Sequence, residues 1–571
     1  MSSQIVSVRP ALAQRYGGVA WRGTRAESKD TKRPLPIGVP IIALLLGVGF
    51  AIYSVTHGWA TLYNDSQSHL DIARHVTDGL TPGLAQLGSI WLPLPQLLMA
   101  PLTAIDALWH SGIAGTIVSG LAFVYSAIRI FSLVEELTGK RAAAWCAFIV
   151  YVTNLNLLYL QTTALDETLM MACIVGAAYH MMRWTRTRGM GDLALAGVAT
   201  FLGTLTRYDA WAMFLAEIAV VAIWSKLHDR RDHSMQANAL FFGFIGGYGI
   251  VIWFLYNFVI FHDPLYFLHS TYSAQTQQQY QLQTGYLPTK GHLTTSAATL
   301  GWAIADTIGV AVVAAAVLGM LMMVFRRGKP LQRNLAVMAI LGAPIVLNVA
   351  TLFVGQTTIR TPQLPPHQMF NLRYGLEALP LIAVCAGSVA AYLRGALAPV
   401  PLIAAGAAVL LMANATPVAL AEGQHGASGF GRAEAAAVAA YIHANYTGGR
   451  ILADDGSSAV APLIFMSGLN LREFVTAGFH PYYENALSDP SANVEWVLVS
   501  SRDQIEGKMN AFPSRFANYR LVFHKLQNAD VINLYQRIPA TEQTAGARSS
   551  TAGGPSVVTA RAPATAARRV R

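Results

Sequence analysis

The chain has 571 residues, of which 53% are hydrophobic and 12% are charged, and its formal net charge is +10. Soluble domains average about 25% charged residues, so this composition excludes an ordinary soluble protein. Apolar runs of about 18 residues or more recur along most of the chain and indicate a polytopic membrane protein. In such a protein an excess of Lys and Arg primarily indicates which loops face the cytoplasm. Nothing else in the sequence suggests nucleic-acid binding.

The chain begins and ends with polar segments. Residues 1–34 are rich in Arg and Lys and too highly charged for a signal peptide, so they are predicted to form a disordered cytoplasmic arm. Residues 541–571 consist mainly of Ala, Thr, Ser, Gly and Arg, and they are also expected to be disordered. Between these ends, residues 35–419 form the predicted transmembrane domain.

The first span, from Pro36 to roughly Val55, is followed by a polar, acidic stretch from Tyr63 to His75. Asp65 stands at the start of a probable helix in this stretch. Asp71 and the charged residues that follow it recur at helical spacing, on a face that we assign to solvent. The alternative is a solvated loop without function.

The remaining apolar stretches extend over much of the chain. They lie at about 90–108, 112–133, 142–160, 165–184, 192–207, 210–225, 239–262, 298–325, 334–355, 372–393 and 398–419.

Loop charge predicts the sides of the membrane. Basic connections occur at 140–141, 183–188, 226–231, 326–333 and 394, and they alternate with connections poor in Lys and Arg at 161–165, 208–209, 263–297 and 356–371. By the positive-inside rule the first set is cytoplasmic and the second lies outside.

The same rule indicates that the stretch 90–108 does not cross the membrane. An odd number of crossings must separate residue 57, outside, from Lys140, inside, yet two apolar stretches lie between them. The stretch 90–108 contains Pro93, Pro95 and Pro101, which disfavour a continuous helix. It is therefore predicted to be juxtamembrane or re-entrant, which leaves about eleven spans and an outer C-terminus.

Residues 420–540 have ordinary charge density and predict a small extracytoplasmic α/β domain. A helix is expected at 431–445. Short β-type runs are expected at Arg450–Ala453, Trp496–Ser500, Leu521–His524 and Val531–Tyr535.

Several unusual polar residues fall on the predicted outer side. Asp166 and Glu167 are adjacent carboxylates at a membrane boundary, where they act either as functional groups or as a helix N-cap. Arg207 precedes Tyr208 and Asp209 in a tight turn, where the simpler interpretation is a local ion pair.

Two further outer segments carry candidate binding residues. His269 opens an aromatic, Gln-rich loop that suits a sugar or a lipid headgroup, or else a plain interfacial belt. Arg373 and Tyr374 stand near the end of a late span, where the arginine either snorkels to the interface or binds a phosphate. No P-loop, CxxC, HExxH or GxSxG motif occurs in the sequence.

The order and sidedness of five segments resemble a known superfamily. They are YNDSQSHLDIAR with Asp65, SIWLPLPQLL, TTALDETLMMA, TLTRYDAW followed by WFLYNFVIFHDPLYF, and FNLRYGLEALP. Over residues 36–420 the chain resembles the GT-C membrane glycosyltransferases, which use polyprenyl-phosphate sugars. Within them it is most similar to the protein O-mannosyltransferases and bacterial aminoarabinose transferases. The first acidic loop differs from the mannosyltransferases in lacking their adjacent Asp-Glu pair.

The resemblance implies a sugar transferase of the bacterial inner membrane. Its donor would be a polyprenyl-phosphate-linked sugar, its acceptor a glycan, lipid or protein, and its mechanism one inverting displacement. Asp65 would be the base, while Asp166 and Glu167 would orient the acceptor or, with Asp65, hold a divalent cation such as Mg²⁺ or Mn²⁺. The phosphate and lipid would be held by Arg207, His269, Arg373 and Tyr374.

Two other classes of function remain open at this stage. A polytopic lipid or solute transporter with an outer domain predicts broken or charged helices near mid-membrane and two symmetric halves. A non-catalytic anchoring protein leaves the acidic outer loops without a role.

The predicted sidedness can be measured directly. Single cysteines placed within 268–290 or 430–440 should react with a membrane-impermeant thiol reagent applied from outside. Cysteines placed within 228–233 or 328–332 should not react, because those loops carry the positive charge that retains them in the cytoplasm. Labelling of the second set from outside would reverse the topology.

Overall fold

A computed structural model describes most of the chain. It covers residues 34–229, 232–270, 273–274, 278, 281–282, 287–393, 399–429, 432–454, 460–477, 479, 481–501, 503–527 and 530–539. The predicted arm, apart from Pro34, and the predicted tail lie outside the described residues. The described part is mainly helical and contains one small sheet.

The helices of the first half, in chain order, are α1 (Gly38–Thr56), α2 (Asn64–His75), α3 (Leu94–Thr103), α4 (Asp106–His110), α5 (Ile113–Thr138), α6 (Arg141–Val152), α7 (Leu155–Leu160), α8 (Glu167–Thr187), α9 (Met190–Thr204), α10 (Asp209–His228), α11 (Ser234–Phe261) and α12 (Tyr266–His269). Those of the second half are α13 (Leu293–Ile308), α14 (Val310–Val324), α15 (Lys329–Val354), α16 (Leu379–Tyr392), α17 (Val400–Asn414), α18 (Val418–Gly429), α19 (Arg432–Asn445), α20 (Val460–Met466), α21 (Tyr482–Ser488), α22 (Pro490–Asn493) and α23 (Gln504–Ala511).

Within the described residues, six helices are long and apolar enough to cross a membrane, and seven if α13 and α14, bent by 110° at Gly309, form one span. The eleven predicted spans are therefore not confirmed. The stretch 142–160 breaks into α6 and α7, and α9 and α17 have 15 residues each. Hydropathy alone does not reveal such breaks, because both halves of a broken helix remain apolar.

The stretch 90–108 contains no helix of spanning length. Helix α3 has 10 residues and α4 has five, so α3 extends about 15 Å, half the thickness of a hydrocarbon core. Pro93 precedes α3 and Pro101 lies within it. This agrees with the expectation that 90–108 does not cross.

Small residues bring the central helices close together. A side chain on Gly319 of α14 would collide with the backbone of Cys385 in α16, and one on Gly387 would collide with Ala147 of α6. Such close backbone approach is typical of helices packed in a membrane, where dispersion contacts replace the hydrophobic effect.

The sheet contains five strands, β1 (Ile451–Leu452), β2 (Phe474–Val475), β3 (Trp496–Ser500), β4 (Tyr519–Gln527) and β5 (Asp530–Arg537). Their order is β2-β1-β3-β5-β4, with β1 parallel to β2 and β3, and β5 antiparallel to β3 and β4. The four predicted strands and the helix at 431–445 are present, while the two-residue β2 was missed. The boundaries of a domain at 420–540 stay a prediction.

The stretch after the first span is a packed helix, so the solvated-loop alternative is wrong. Leu70 and Ala73 of α2 share a buried apolar cluster with Trp109 of α4 and with residues of α19, α20 and the sheet. Arg74 is buried and donates to the carbonyl oxygen of Thr103 and to Asp106, each at 2.6 Å. These contacts fix α2, and with it Asp65 in its first turn.

The assignment of Asp71 to a solvent face is also corrected. Asp71 is partly buried, and its Oδ1 accepts a hydrogen bond from the indole of Trp109 at 3.1 Å. The helical period places Asp71 on the side of α2 that meets α4, which the sequence spacing alone did not show.

Candidate active site

Four distant segments bring together carboxylates and two arginines. Asp65 lies in the first turn of α2, Asp166 and Glu167 lie at the start of α8, and Arg207 connects α9 to α10. Arg373 lies in a 3₁₀ turn, Leu372–Ala378, directly before α16. We call this group, with the three further carboxylates described below, the acid–arginine cluster: Asp65, Asp166, Glu167, Arg207, Asp209, Arg373, Glu377 and Glu422.

Arg373 connects three of these carboxylates. Its Nη2 donates to Asp65 Oδ2, its Nε donates to Glu167 Oε1 at 2.9 Å, and its Nη1 lies 3.7 Å from Glu422 Oε1. The guanidinium is buried and lies 4.7 Å from the ring centre of Tyr63. The fork of Arg373 is therefore held in one orientation from several sides.

Arg207 forms the second centre of the cluster. Its Nη1 donates to Asp166 Oδ1 at 2.7 Å, its Nε donates to Asp209 Oδ2 at 3.0 Å, and its Nη2 lies 3.0 Å from Glu377 Oε1. Asn348 donates to Asp209 and Glu377 at 3.3 and 2.8 Å, and so links two of these carboxylates. The simpler interpretation of a local Arg-Asp pair at the turn holds, but it is only part of the network.

Tyr374 lies between the two arginines. Its ring centre is 4.9 Å from the guanidinium carbon of Arg207 and 5.3 Å from that of Arg373. The ring spaces the two cations and stacks against both. Tyr374 thus helps to position the two arginines, and its direct part in donor binding stays a prediction.

The N-cap alternative for the acidic pair is not supported. Asp166 occupies the N-cap position of α8, but its side chain forms no capping hydrogen bond and pairs with Arg207 instead. Glu167 is fully buried, and within the described structure its Oε2 accepts no hydrogen bond. A buried carboxylate oxygen without a partner is costly, so it is available to a hydroxyl group of a ligand.

Burial and the neighbouring arginines have opposite effects on the pKa values of the carboxylic acids. Burial is the largest effect and disfavours the ionised form of Asp166, but Arg207, His69 and Arg373 together outweigh it and hold the pKa of Asp166 below its usual value. Burial raises the pKa of Glu422, and Arg373 and three backbone N–H groups only partly offset it. The acids of the cluster therefore differ in basicity although they are close together.

Glu422 is the main residue that sequence reasoning missed. Its two carboxylate oxygens accept the backbone N–H groups of Asn371 and Leu372 at 2.6 and 2.9 Å, which fixes the turn that carries Arg373. Glu422 lies beyond the predicted end of the transmembrane domain, and no local motif marks it. Glu377, in contrast, follows Arg373 by one helical turn, and this spacing was a usable signal.

His69 was also missed. It follows Asp65 by one turn of α2, is buried, lies with its ring centre 4.5 Å from that of Trp91, and pairs through Nδ1 with the amide of Gln96 at 2.6 Å. Burial lowers the pKa of His69, although Asp166 and Asp65 oppose this effect. His69 is thus a neutral neighbour of the cluster at pH 7.

His269 is not brought into the cluster in the described structure. Its side chain is 55% exposed, and its Nε2 lies 2.8 Å from Asp263 Oδ2 in the same loop. The short helix α12 ends at His269, and its ion pair is local.

The predicted metal ligands do not form a cation site in this arrangement. Among the described residues, no group of three His, Cys, Asp or Glu side chains is placed to hold a metal ion. Asp65, Asp166 and Glu167 each pair with a guanidinium instead. A metal requirement stays a prediction, and no step below depends on one.

The chain is similar to known proteins in part of its sequence and in its fold. The family model described as "Dolichyl-phosphate-mannose-protein mannosyltransferase" matches residues 93–268, which include Asp166, Glu167 and Arg207. No curated protein sequence matches the chain. The crystal structure of ArnT from Cupriavidus metallidurans bound to undecaprenyl phosphate matches with a TM-score of 0.51 and 12% identity, over 85% of this chain and 97% of that one. The fold of this chain is similar to that of ArnT. The resemblance predicted from the sequence is confirmed.

Two other structures are similar at lower scores. Apo ArnT from Cupriavidus metallidurans has a TM-score of 0.43 and 13% identity, over 85% of this chain and 97% of that one. The archaeal oligosaccharyltransferase AglB from Archaeoglobus fulgidus, in complex with an inhibitory peptide and a dolichol-phosphate, has a TM-score of 0.44 and 12% identity, over 87% and 74%.

The electrostatic role of Arg207 can be tested through stability. Arg207→Gln should destabilise the folded state by about 3–5 kcal/mol at neutral pH, because it leaves buried carboxylates without their cation. Arg472→Gln, at a pair in which the arginine side chain is 61% exposed, should cost at most about 1 kcal/mol. Denaturation of the purified protein in detergent measures both.

The pH dependence of that destabilisation has a definite sign. Arg207 lowers the folded-state pKa of Asp166, so the stability it contributes is present above the unfolded pKa and is lost as pH falls through the folded value. The difference between wild type and Arg207→Gln should therefore stay the same from pH 7.5 to pH 5 and shrink as pH falls below the ordinary aspartate pKa of 3.8. A penalty at pH 3 that is as large as the penalty at pH 7.5 would contradict this electrostatic account.

Proposed function

We propose that the chain is a membrane glycosyltransferase that moves a sugar from a polyprenyl-phosphate donor to an acceptor hydroxyl on the extracytoplasmic face. The observation that carries the proposal is the acid–arginine cluster, in which Asp65 and Glu167 share Arg373, and Asp166 shares Arg207. Sugar transfer from a lipid phosphate needs a base and a cationic group for the departing phosphate. This cluster contains both.

The arginines suit the phosphate of the donor. A guanidinium presents N–H groups in a rigid fork that binds two phosphate oxygens at once. One N–H group of this fork, on Nη2 of Arg373, already contacts Asp65, whose side chain is 44% exposed, whereas that of Arg373 is 5% exposed. A phosphate that arrives from the open side would take the N–H group that Asp65 now holds. The same exchange frees the Asp65 carboxylate to accept a proton.

The proposed reaction is a single displacement. Asp65 accepts the proton of the acceptor hydroxyl while the hydroxyl oxygen forms a bond to the anomeric carbon of the sugar. The bond between that carbon and the phosphate oxygen breaks, and its electron pair remains on the polyprenyl phosphate, next to Arg373 and Arg207. Attack from the face opposite the phosphate inverts the anomeric centre.

The acidic pair has a separate role in this proposal. The free Oε2 of Glu167 accepts a hydroxyl of the acceptor or the sugar, which would fix its orientation before the displacement. Asp166 holds Arg207 in place. Neither carboxylate has to leave its arginine for the reaction to proceed.

The proposal also includes the chemical class of the carrier lipid. The ArnT structure with the same fold is described as bound to undecaprenyl phosphate, and we propose that this chain uses a polyprenyl-phosphate carrier as well. We further propose the bacterial inner membrane as its location, with the N-terminus cytoplasmic and the sheet region outside. The acceptor is a hydroxyl group of a glycan, lipid or protein.

Asp65 provides the first test of the mechanism. Asp65→Asn keeps the size of the side chain and should leave membrane insertion and donor binding intact. It should slow transfer by about 100-fold or more, because general-base catalysis contributes about 10²- to 10⁴-fold. The measurement is formation of radiolabelled product from a polyprenyl-phosphate sugar and an acceptor-containing membrane extract.

Asp71→Asn is the matched control on the same helix. An asparagine at this position still accepts the hydrogen bond of the Trp109 indole, so transfer should stay close to wild type. The assay is done in detergent micelles, where a transporter has no two compartments and leaves no covalent product. If Asp65→Asn transferred sugar at nearly the wild-type rate, Asp65 would not be the base, and another carboxylate of the cluster would have to fill that role. If the wild-type protein transferred no sugar, the result would favour a transport function.

The role of Arg373 gives a separate prediction. Arg373→Ala should raise the KM for the lipid-phosphate donor more than Arg373→Lys does, because lysine keeps the charge but loses the fork. Equal donor KM values for the wild type and the Ala variant would remove Arg373 from the phosphate site.

A further inference from the structure

A second polar site lies at the other end of the transmembrane helices. A cavity of about 270 Å³ opens between the ends of α5, α8 and α10 and the start of α15. Helix α8 begins at Glu167 in the acid–arginine cluster, and Arg186 beside the cavity lies about 28 Å further along it. This distance is close to the thickness of a hydrocarbon core, so the cavity belongs to the opposite membrane boundary.

The cavity is lined by three cationic side chains. Arg186 donates to both oxygens of Glu136, at 2.7 and 3.1 Å, and Arg333 donates to Oε1 of the same carboxylate at 2.7 Å. Lys329 also lines the cavity, is exposed and forms no ion pair within the described part of the chain. Glu136 thus pairs with two of the three cations, Lys329 is left without a carboxylate partner in the described structure, and the site carries a local positive excess.

The start of helix α15 adds to this excess. Lys329 is its first residue, and α15 is 26 residues long. The first N–H groups of a helix lack partners within the helix and favour an anion. The helix terminus and the three side chains therefore both make the electrostatic potential in the cavity more positive.

A buried hydrogen-bond donor on the wall of the cavity has no partner. Trp224 of α10 lines the cavity and is 5% exposed, and its indole N–H donates to no acceptor in the described structure. Such a donor costs free energy unless something accepts from it. An anionic ligand in the cavity would supply that acceptor.

We propose that this cavity binds the phosphate headgroup of an anionic membrane lipid, such as phosphatidylglycerol. A volume of about 270 Å³ is far larger than the space one water needs, and it suits a headgroup. Beside Trp224 on α10, Ile223 and Leu227 are 59% and 58% exposed. An acyl chain attached to the bound headgroup can lie along this apolar side of α10, which a free phosphate does not use. The proposal does not depend on the transferase activity.

The test is a lipid titration of the full-length protein in detergent, followed by native mass spectrometry. Phosphatidylglycerol should bind more tightly than phosphatidylcholine. Lys329→Gln removes one cation from the site and should weaken phosphatidylglycerol binding by about fivefold. Trp224→Phe keeps an aromatic ring but removes the indole N–H. It should weaken the binding of phosphatidylglycerol and leave the binding of phosphatidylcholine unchanged.

Arg327→Gln is the matched control, because it removes the same charge two residues before Lys329 from an exposed position that does not line the cavity. Its affinity for phosphatidylglycerol should stay at the wild-type value. An equal loss of phosphatidylglycerol affinity in Arg327→Gln and Lys329→Gln would show that the lipid is attracted by the general positive charge of the surface, and it would overturn the proposed site. Displacement of the lipid by equimolar glycerol 3-phosphate would show that the cavity takes a free phosphate ester, and would overturn the lipid assignment.

Discussion

The site depends on the need to neutralise two guanidinium groups that are removed from water. Transfer of an ion from water into a protein interior costs several kcal/mol unless close partners replace its hydration. Arg373 and Arg207 are surrounded by carboxylates that come from α2, α8, α10, α18 and the turn before α16. The positions of these five segments are therefore coupled, because each contributes a carboxylate to an ion pair with one of the two arginines.

The balance of charge in the cluster also limits its chemistry. Six carboxylates surround two arginines, so full ionisation would leave a large negative excess in a poorly solvated region. The raised pKa of Glu422 reduces this excess by favouring its protonated form. In the proposed reaction the incoming phosphate adds negative charge, so it would have to displace a carboxylate from its arginine instead of simply joining the cluster. Asp65 is suited to this exchange, because its side chain is much more exposed than that of Glu167.

The sequence predicted the parts of the site that local patterns and membrane sidedness reveal. Asp65, Asp166, Glu167, Arg207 and Arg373 are polar residues at the ends of apolar segments, and loop charge placed all of them on one side. The structure brings these five together. His269 met the same criteria but pairs only with Asp263 in its own loop, because sidedness fixes the depth of a residue and not its lateral position. The eleven predicted spans are not confirmed for a related reason, since hydropathy does not detect where one apolar helix ends and a second begins.

Glu422 shows why composition alone misplaces the end of the functional unit. The change in composition near residue 420 separates apolar helices from the region of ordinary charge density, and it puts Glu422 on the far side of the boundary. In the structure, Glu422 accepts two backbone N–H groups of the turn that carries Arg373, and Tyr63 donates to the carbonyl oxygen of Ala419 at 2.7 Å. The segment around residue 420 thus holds both the arginine and the aromatic ring beneath it. Composition responds to the solvent around a segment, whereas the geometry of the site depends on hydrogen bonds that cross from one environment to the other. For this reason the chain after residue 419 is part of the structure that orients Arg373.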